Sequence, residues 1–299
     1  MKNITPAINT LTIVVPIYNE ADSLPDFLPE LLALCKKKQW HLILVNDGST
    51  DDSAQILTKY EKQANLIIIQ HKVNRGYGGA LKSGIAYSTT PYIVTVDSDG
   101  QHCLSDIEPA FNFAIEKGAD LVVGDRGRQA KLNSYREFGK GIIRNFTKFL
   151  MPLPIHDLNS GFKVYRTEPA QRYAAICPNS MAFSDVITLT FINQRDLVLE
   201  YPITTLKRKK GKSTIRFATA FDTVMEIINI SLMFNPLRVF LPVSFICILL
   251  GIGWGIPILL LGHGVSIGSM LAIVIGLFFF ALGLIASQLA AIRMGLLNK

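Results

Sequence analysis

Cysteine is scarce and dispersed in this chain. The four among 299 residues, Cys35, Cys103, Cys177 and Cys247, form no C-x-x-C pair, which argues against a zinc ribbon and a disulfide framework and leaves reduced thiols as the expectation. There is no G-x-S-x-G elbow and no H-E-x-x-H pair, so a serine hydrolase and a zinc peptidase have no support. Gly76-Tyr77-Gly78 lacks the third glycine of a dinucleotide fingerprint, Leu81 standing in its place, and Gly211-Lys212-Ser213 lacks the earlier glycine of a P-loop, where the chain has Leu206. The first ten residues lack the apolar core of a signal peptide, so roughly the first 200 residues are expected to stay in the cytoplasm. Charge is missing altogether from 239–262 and from 267–292. Each run is long enough to cross a hydrocarbon core of about 30 Å as a helix.

With 49% hydrophobic and 18% charged residues, the chain can bury one large domain and still supply these two spans, which make an integral membrane protein the expectation. Arg238 precedes the first span and Arg293 and Lys299 follow the second, whereas the turn at His263-Gly264 has no Lys or Arg. Both ends therefore face the cytoplasm. The spans leave assembly as a homo-oligomer open. The net charge of +7 is concentrated in Lys207, Arg208, Lys209, Lys210, Lys212 and Arg216, just before the spans. That position suits anionic lipid or a phosphorylated substrate; without interleaved aromatics, nucleic acid is not expected as a partner. Apolar residues recur at helical spacing from Phe217 to Phe234, opposite Asp222, Glu226 and Asn229. Such a helix lies on the membrane or packs on the domain that precedes it.

Before that point, apolar strands alternate with helices. Strands are read at Leu11–Val15, His41–Val45, Leu66–Gln70 and within 91–96, with helices following Ser23 as a cap, over Asp51–Lys62 and from Ala80 to about Tyr87. A second section holds a strand at Leu121–Gly124, a helix carrying Arg136, Lys140 and Arg144, a helix near Asp185–Gln194 and a strand near Leu197–Pro202. The fold class is α/β, a mostly parallel sheet covered on both faces, and such sheets bind ligands at the carboxyl ends of their strands. Glu20, Asp47, Arg75 and the pair Asp97/Asp99 all fall there. Asp-Ser-Asp-Gly after a strand is a common turn, but it also presents the carboxylates that Mg²⁺ and Mn²⁺ favour alongside substrate phosphates. Convergence of four polar strand ends points to a polar-ligand site.

Val14–Glu20 (Val-Val-Pro-Ile-Tyr-Asn-Glu), Asn46–Asp51 (Asn-Asp-Gly-Ser-Thr-Asp), Asn74–Ala80 (Asn-Arg-Gly-x-Gly-x-Ala) and Asp97–His102 (Asp-Ser-Asp-Gly-Gln-His) stand in the order and spacing of the family 2 glycosyltransferases of GT-A fold. The chain resembles their polyprenyl-phosphate hexose synthase group, on Gly124-Asp125-Arg126, Asp157–Lys163 and Arg208-x-x-Gly211-x-Ser213 followed by two spans. The resemblance implies a nucleotide sugar donor (UDP-hexose or GDP-mannose) and a polyprenyl phosphate acceptor. It implies that Pro16, Tyr18, Glu20 and Asp47 line the nucleotide pocket, with Arg75, Gly76 and Ser98 beside them. Asp97, Asp99 and Gln101 would hold Mg²⁺ or Mn²⁺ on the diphosphate, and Arg208, Lys212 and Ser213 would close over it. Arg126, Arg136 and Lys140 would meet the acceptor phosphate, and Asp157 would orient a sugar hydroxyl, act as a base or cap its turn. The pattern departs from the family at Asn46, Asp125, Lys163, Thr214 and Cys103-Leu104, which bears on sugar and acceptor choice. The expected division is a catalytic domain over 1–215, a juxtamembrane helix over 216–236 and a membrane domain over 237–299. A synthase of another glycolipid or polysaccharide, a scaffold without activity and a nucleotidyltransferase are the alternatives.

Overall fold

A computed structural model describes residues 10–127, 155–158, 160–206, 228–229 and 231–295. The strands are β1 Leu11–Ile17, β2 His41–Asn46, β3 Leu66–Gln70, β4 Tyr92–Thr95, β5 Leu121–Asp125, β6 Lys163–Arg166 and β7 Val198–Pro202. They form one seven-stranded sheet of order β3-β2-β1-β4-β6-β5-β7. All neighbours are parallel except β6, which runs antiparallel to both β4 and β5. Because β6 is reversed, its first residue, Lys163, pairs with Thr95 and lies at the edge where the parallel strands end.

The helices are α1 Leu24–Lys38, α2 Ser53–Thr58, α3 Tyr77–Tyr87, α4 Ile107–Lys117, α5 Thr167–Ala174 and α6 Phe183–Asn193. β1 is buried along its whole length, as an apolar strand between two helical layers should be. Its odd residues Leu11, Ile13, Val15 and Ile17 join Leu24, Phe27, Leu28 and Leu31 of α1 and Ile107, Ala110 and Phe111 of α4 in one apolar cluster. On the opposite face α3 lies close enough that a Cβ on Gly84 would overlap Val14. Gln171 of α5 donates to the Ile85 and Ser88 carbonyls at the end of α3.

Several local expectations change. Ser23 occupies the N-cap of α1 but makes no capping hydrogen bond; its hydroxyl lies against Glu20, 2.7 Å from Oε2 and 3.1 Å from the carbonyl. α3 begins at Tyr77, not Ala80, because Gly76 (φ +87°) turns the chain directly into the helix. α2 is shorter than the span Asp51–Lys62. The basic helix with Arg136, Lys140 and Arg144 lies outside the described residues, as does most of the amphipathic segment.

The second compact unit among the described residues is a helical hairpin, α7 Leu237–Leu260 and α8 Ile267–Gly295, close to the two charge-free runs. The buried residues of the two helices are all small: Ser244 and Gly251 on α7, and Ser269, Gly276 and Gly283 on α8. Ser244 donates to the Gly276 carbonyl at 2.7 Å, and a Cβ on Gly251 would press on Ile273 and the Ser269 carbonyl. Small residues let two apolar helices approach closely where no hydrophobic effect drives them together. The large side chains point outward, Trp254 being 69% and Phe278 61% exposed.

Candidate functional site

The loops after β1 and β2 are tied to each other. The Asn19 amide N–H donates to Ser49 Oγ, Glu20 N–H to Ser53 Oγ and Ala21 N–H to Asp51 Oδ2, while Asn19 Oδ1 accepts from Thr50 N–H. The first two sequence motifs are thus one structural unit, with Tyr18 39% exposed at its edge. Pro16 is buried within β1. Ser98 is buried.

Asp47 sits past the end of β2 with its side chain 3% exposed. It accepts the Arg75 N–H at 2.9 Å and the Gly76 N–H at 2.8 Å, and Oδ1 lies 2.6 Å from His71 Nδ1. Asp47 thereby shapes the turn Asn74–Gly76 that leads into α3, and Arg75 itself is exposed.

Asp97 follows β4. Tyr77 Oη donates to its Oδ1 at 2.9 Å, and His102 Nε2 lies 3.2 Å from its Oδ2. A Cβ on Gly161 would overlap the same carboxylate. Burial pushes the Asp97 pKa upward, but the His102 hydrogen bond and charge, the Tyr77 hydroxyl and the Lys163 ammonium outweigh it, so the carboxyl titrates below its ordinary range. The Tyr77 hydroxyl is correspondingly pushed well above the usual phenol value, by burial and by Asp97. Asp99 accepts the Gln101 N–H at 3.0 Å and lines a cleft with Ser23, Asp26, Glu30 and His102. Asp97, Asp99 and Gln101 supply two carboxylates and one side-chain amide, hard oxygen donors close in sequence, with the Asp97 carboxyl held below its ordinary range. By donor chemistry these residues fit Mg²⁺ or Mn²⁺.

Arg126 and Asp157 form a two-pronged ion pair, Nε to Oδ2 and Nη2 to Oδ1 both 2.7 Å, and Arg126 also feels the charge of Asp97. Burial raises the Asp157 pKa and Arg126 more than reverses that, leaving the carboxyl below its ordinary range. Lys163 is fully buried, and its ammonium donates to the Leu158 carbonyl at 2.9 Å and the Ser160 carbonyl at 2.5 Å. Burial lowers its pKa to about 8, against the pull of Asp185, Asp157 and Asp97. A different group, Asp125, His156 and Glu200, brings ligand atoms within 4.8 Å of one another. Glu200 there already accepts the His156 and Asp157 N–H groups and faces the His156 ring.

The structure therefore gathers Asp47, Arg75 and Gly76 in one cluster, Asp97 with Tyr77, His102 and Gly161 in a second, and Arg126 with Asp157 in a third. Arg136, Lys140, Arg208, Lys212 and Ser213 lie outside the described residues. Sequence reasoning assigned no role to His71, Tyr77, Gly161 or His102. The last three lie in the quoted motifs, so their spacing was a signal; His71 lies in none.

The sheet order and the acid-bearing strand edge define a GT-A glycosyltransferase fold. Glucosyl-3-phosphoglycerate synthase from Mycobacterium tuberculosis, in complex with phosphoglyceric acid, superposes with a TM-score of 0.56 at 15% identity, over 75% of this chain and 80% of that one. Residues 1–349 of S. aureus TarS, in complex with UDP, superpose with a TM-score of 0.51 at 19% identity, over 76% of this chain and 65% of that one. More particularly, the chain belongs to glycosyl transferase family 2, whose model matches residues 12–174. Residues 235–292 match the GtrB C-terminal hairpin. Two similar curated proteins are undecaprenyl-phosphate 4-deoxy-4-formamido-L-arabinose transferases. That of Photorhabdus laumondii is 28% identical over 95% of this chain and 90% of its own length. That of Klebsiella pneumoniae strain 342 is 25% identical over 96% and 90%. With the outward apolar faces of α7 and α8, these matches make the chain a membrane-bound glycosyltransferase.

Proposed function

We propose that this protein transfers a sugar from a nucleotide sugar, a UDP-hexose or GDP-mannose, to a polyprenyl phosphate, producing a polyprenyl-phosphate sugar with inversion at the anomeric carbon. The observation that carries this reading is the ionised Asp97 at the edge of a GT-A sheet, in a chain that also carries the apolar hairpin. The names of the curated relatives support the acceptor class, and the flanking Arg238 and Arg293 support a catalytic unit on the cytoplasmic face.

A lipid monophosphate has a second pKa near 6, so it arrives as an anion and the chain needs no general base. Asp157, held low by Arg126, is a poor base; it serves by aiming the guanidinium. Arg126, with Arg136 and Lys140, receives the acceptor phosphate, and that phosphate competes with Asp157 for the guanidinium donors. Pro16, Tyr18, Glu20, Arg75, Gly76 and Ser98 line the nucleotide pocket, and Asp47 lines it through the turn it holds. Asp97, Asp99 and Gln101 would hold a divalent cation, which would supply positive charge to offset that growing on the departing diphosphate. Arg208, with Lys212 and Ser213, adds cationic and hydrogen-bonding stabilisation to the same leaving group.

The test is a donor and acceptor matrix. Purified protein in detergent, supplied with UDP-glucose or GDP-mannose, polyprenyl phosphate and Mg²⁺ or Mn²⁺, should give a lipid product heavier by one sugar. Donor turnover that is unaffected by the lipid would refute the acceptor assignment.

A further inference from the structure

Asp47 and His71 are a buried pair, 3% and 4% exposed at their side chains, and nothing in the transfer chemistry requires the imidazole. His71 Nδ1 lies 2.6 Å from Asp47 Oδ1, and Nε2 lies 2.9 Å from Ser83 Oγ. A carboxylate only accepts, so Nδ1 carries a proton toward Asp47. The order Asp, His, Ser has the connectivity of a hydrolytic triad. However, Ser83 lies within α3 with its hydroxyl directed at the Gly79 carbonyl, 3.2 Å away, so it is not presented as a nucleophile.

The pair holds a turn that is also held from its other end. Asp47 takes the backbone N–H groups of Arg75 and Gly76, and the next residue, Tyr77, gives its hydroxyl to Asp97 at 2.9 Å. Gly76 cannot yield outward, since its position for a Cβ is only 2.5 Å from the Asn179 carbonyl oxygen. Three consecutive residues thus connect the carboxylate after β2 to the carboxylate after β4.

We propose that His71 is a positioning residue for donor binding. Through Asp47 it sets the Arg75-Gly76-Tyr77 turn, and through Tyr77 it sets Asp97, coupling the nucleoside side of the donor site to its diphosphate side. The proposal rests on the nucleotide-sugar reading above.

Two substitutions separate the ring's two contacts. His71→Asn keeps an N–H donor at the place of Nδ1 and retains the Asp47 bond alone; His71→Gln places its amide at Nε2, reaching Ser83 but not Asp47. UDP and GDP binding to the full-length detergent-purified protein is measured by calorimetry, alongside initial rates. His71→Gln is expected to weaken nucleotide binding and raise the donor KM by about ten- to hundredfold, the scale of one lost hydrogen bond to a charged group. Its acceptor KM should stay within about twofold, and His71→Asn should recover most of the loss. Equal nucleotide affinity in the two variants would overturn the proposal, as would an equal rise in donor and acceptor KM. A wild-type protein that binds neither nucleotide would instead overturn the functional reading on which it rests. Should His71→Gln fail to fold, Asp47→Asn at wild-type donor affinity would overturn the proposal, and loss of that affinity in a folded protein would support it.

Discussion

Gly161→Ala places one methyl group against Asp97 and makes a strong test of how that carboxylate is held. The new Cβ would lie 2.7 Å from Asp97 Oδ1 and closer still to Oδ2. The loop cannot easily retreat. Thr95 Oγ1 donates to the Gly161 carbonyl at 2.7 Å, and the buried Lys163 ammonium holds the carbonyls of Leu158 and Ser160. The carboxylate must therefore swing away from Tyr77 and His102. Each hydrogen bond to a charged group contributes about 1.5–3 kcal/mol, so losing both costs about 3–6 kcal/mol. Partial relaxation of the loop puts the expected fall in kcat/KM at about 10²–10³, read from initial rates with saturating cation. Overpacking should also cost about 1–3 kcal/mol of stability, visible as a lower Tm. In an Asp97→Ala background there is no carboxylate to strike, and the same substitution should leave Tm nearly unchanged. Wild-type turnover in Gly161→Ala, or an equal Tm loss in both backgrounds, would refute the reasoning.

Asp157→Asn should raise the acceptor KM several-fold and leave the donor KM unchanged, because it loosens the aim of Arg126; a change in the donor KM alone would contradict the assignment. Lys163 titrates near 8 in the folded protein against an ordinary 10.5. Between these values the unfolded chain holds the proton that the folded one has shed, so stability rises with pH across that window. Melting curves of the wild type and Lys163→Met from pH 8 to 10 check this: the wild type should gain on the variant, and parallel curves would show the ammonium to be unperturbed. Asp99→Ala should abolish transfer in a folded protein, and near-normal turnover would sink the cation assignment.

The strands of the catalytic unit were legible because β1, β2 and β4 are short, apolar, β-branched runs closed by turn residues, a pattern that buried parallel strands must have. Their ligand edge followed from topology, since the polar residues come just after the last apolar one. The two spans were legible from the absence of charge alone. The reversal of β6 was not: Lys163–Arg166 begins with a buried lysine, whose burial is made tolerable by the carbonyls of Leu158 and Ser160 and by the charges of Asp185, Asp157 and Asp97. α5 was missed because Thr167–Ala174 spans only 8 residues, has Pro169 in its first turn and is polar on average; its buried face, Pro169, Ala170, Tyr173 and Ala174, does recur at helical spacing but is too short to stand out. His71 was invisible for a different reason. A lone histidine at a strand end carries no spacing signal, and its meaning comes from Asp47, 24 positions earlier, and Ser83, 12 later. Asp157 offered several roles to local reading, and only the fold brings Arg126 to it.

The most direct measurement of the central claim is mass analysis of the lipid formed when the purified protein is incubated with nucleotide sugars, polyprenyl phosphate and Mg²⁺ or Mn²⁺. The account predicts a polyprenyl-phosphate sugar that appears with wild-type protein and is lost in Asp99→Ala. Sugar released to water, or an unmodified lipid with every donor, would contradict it.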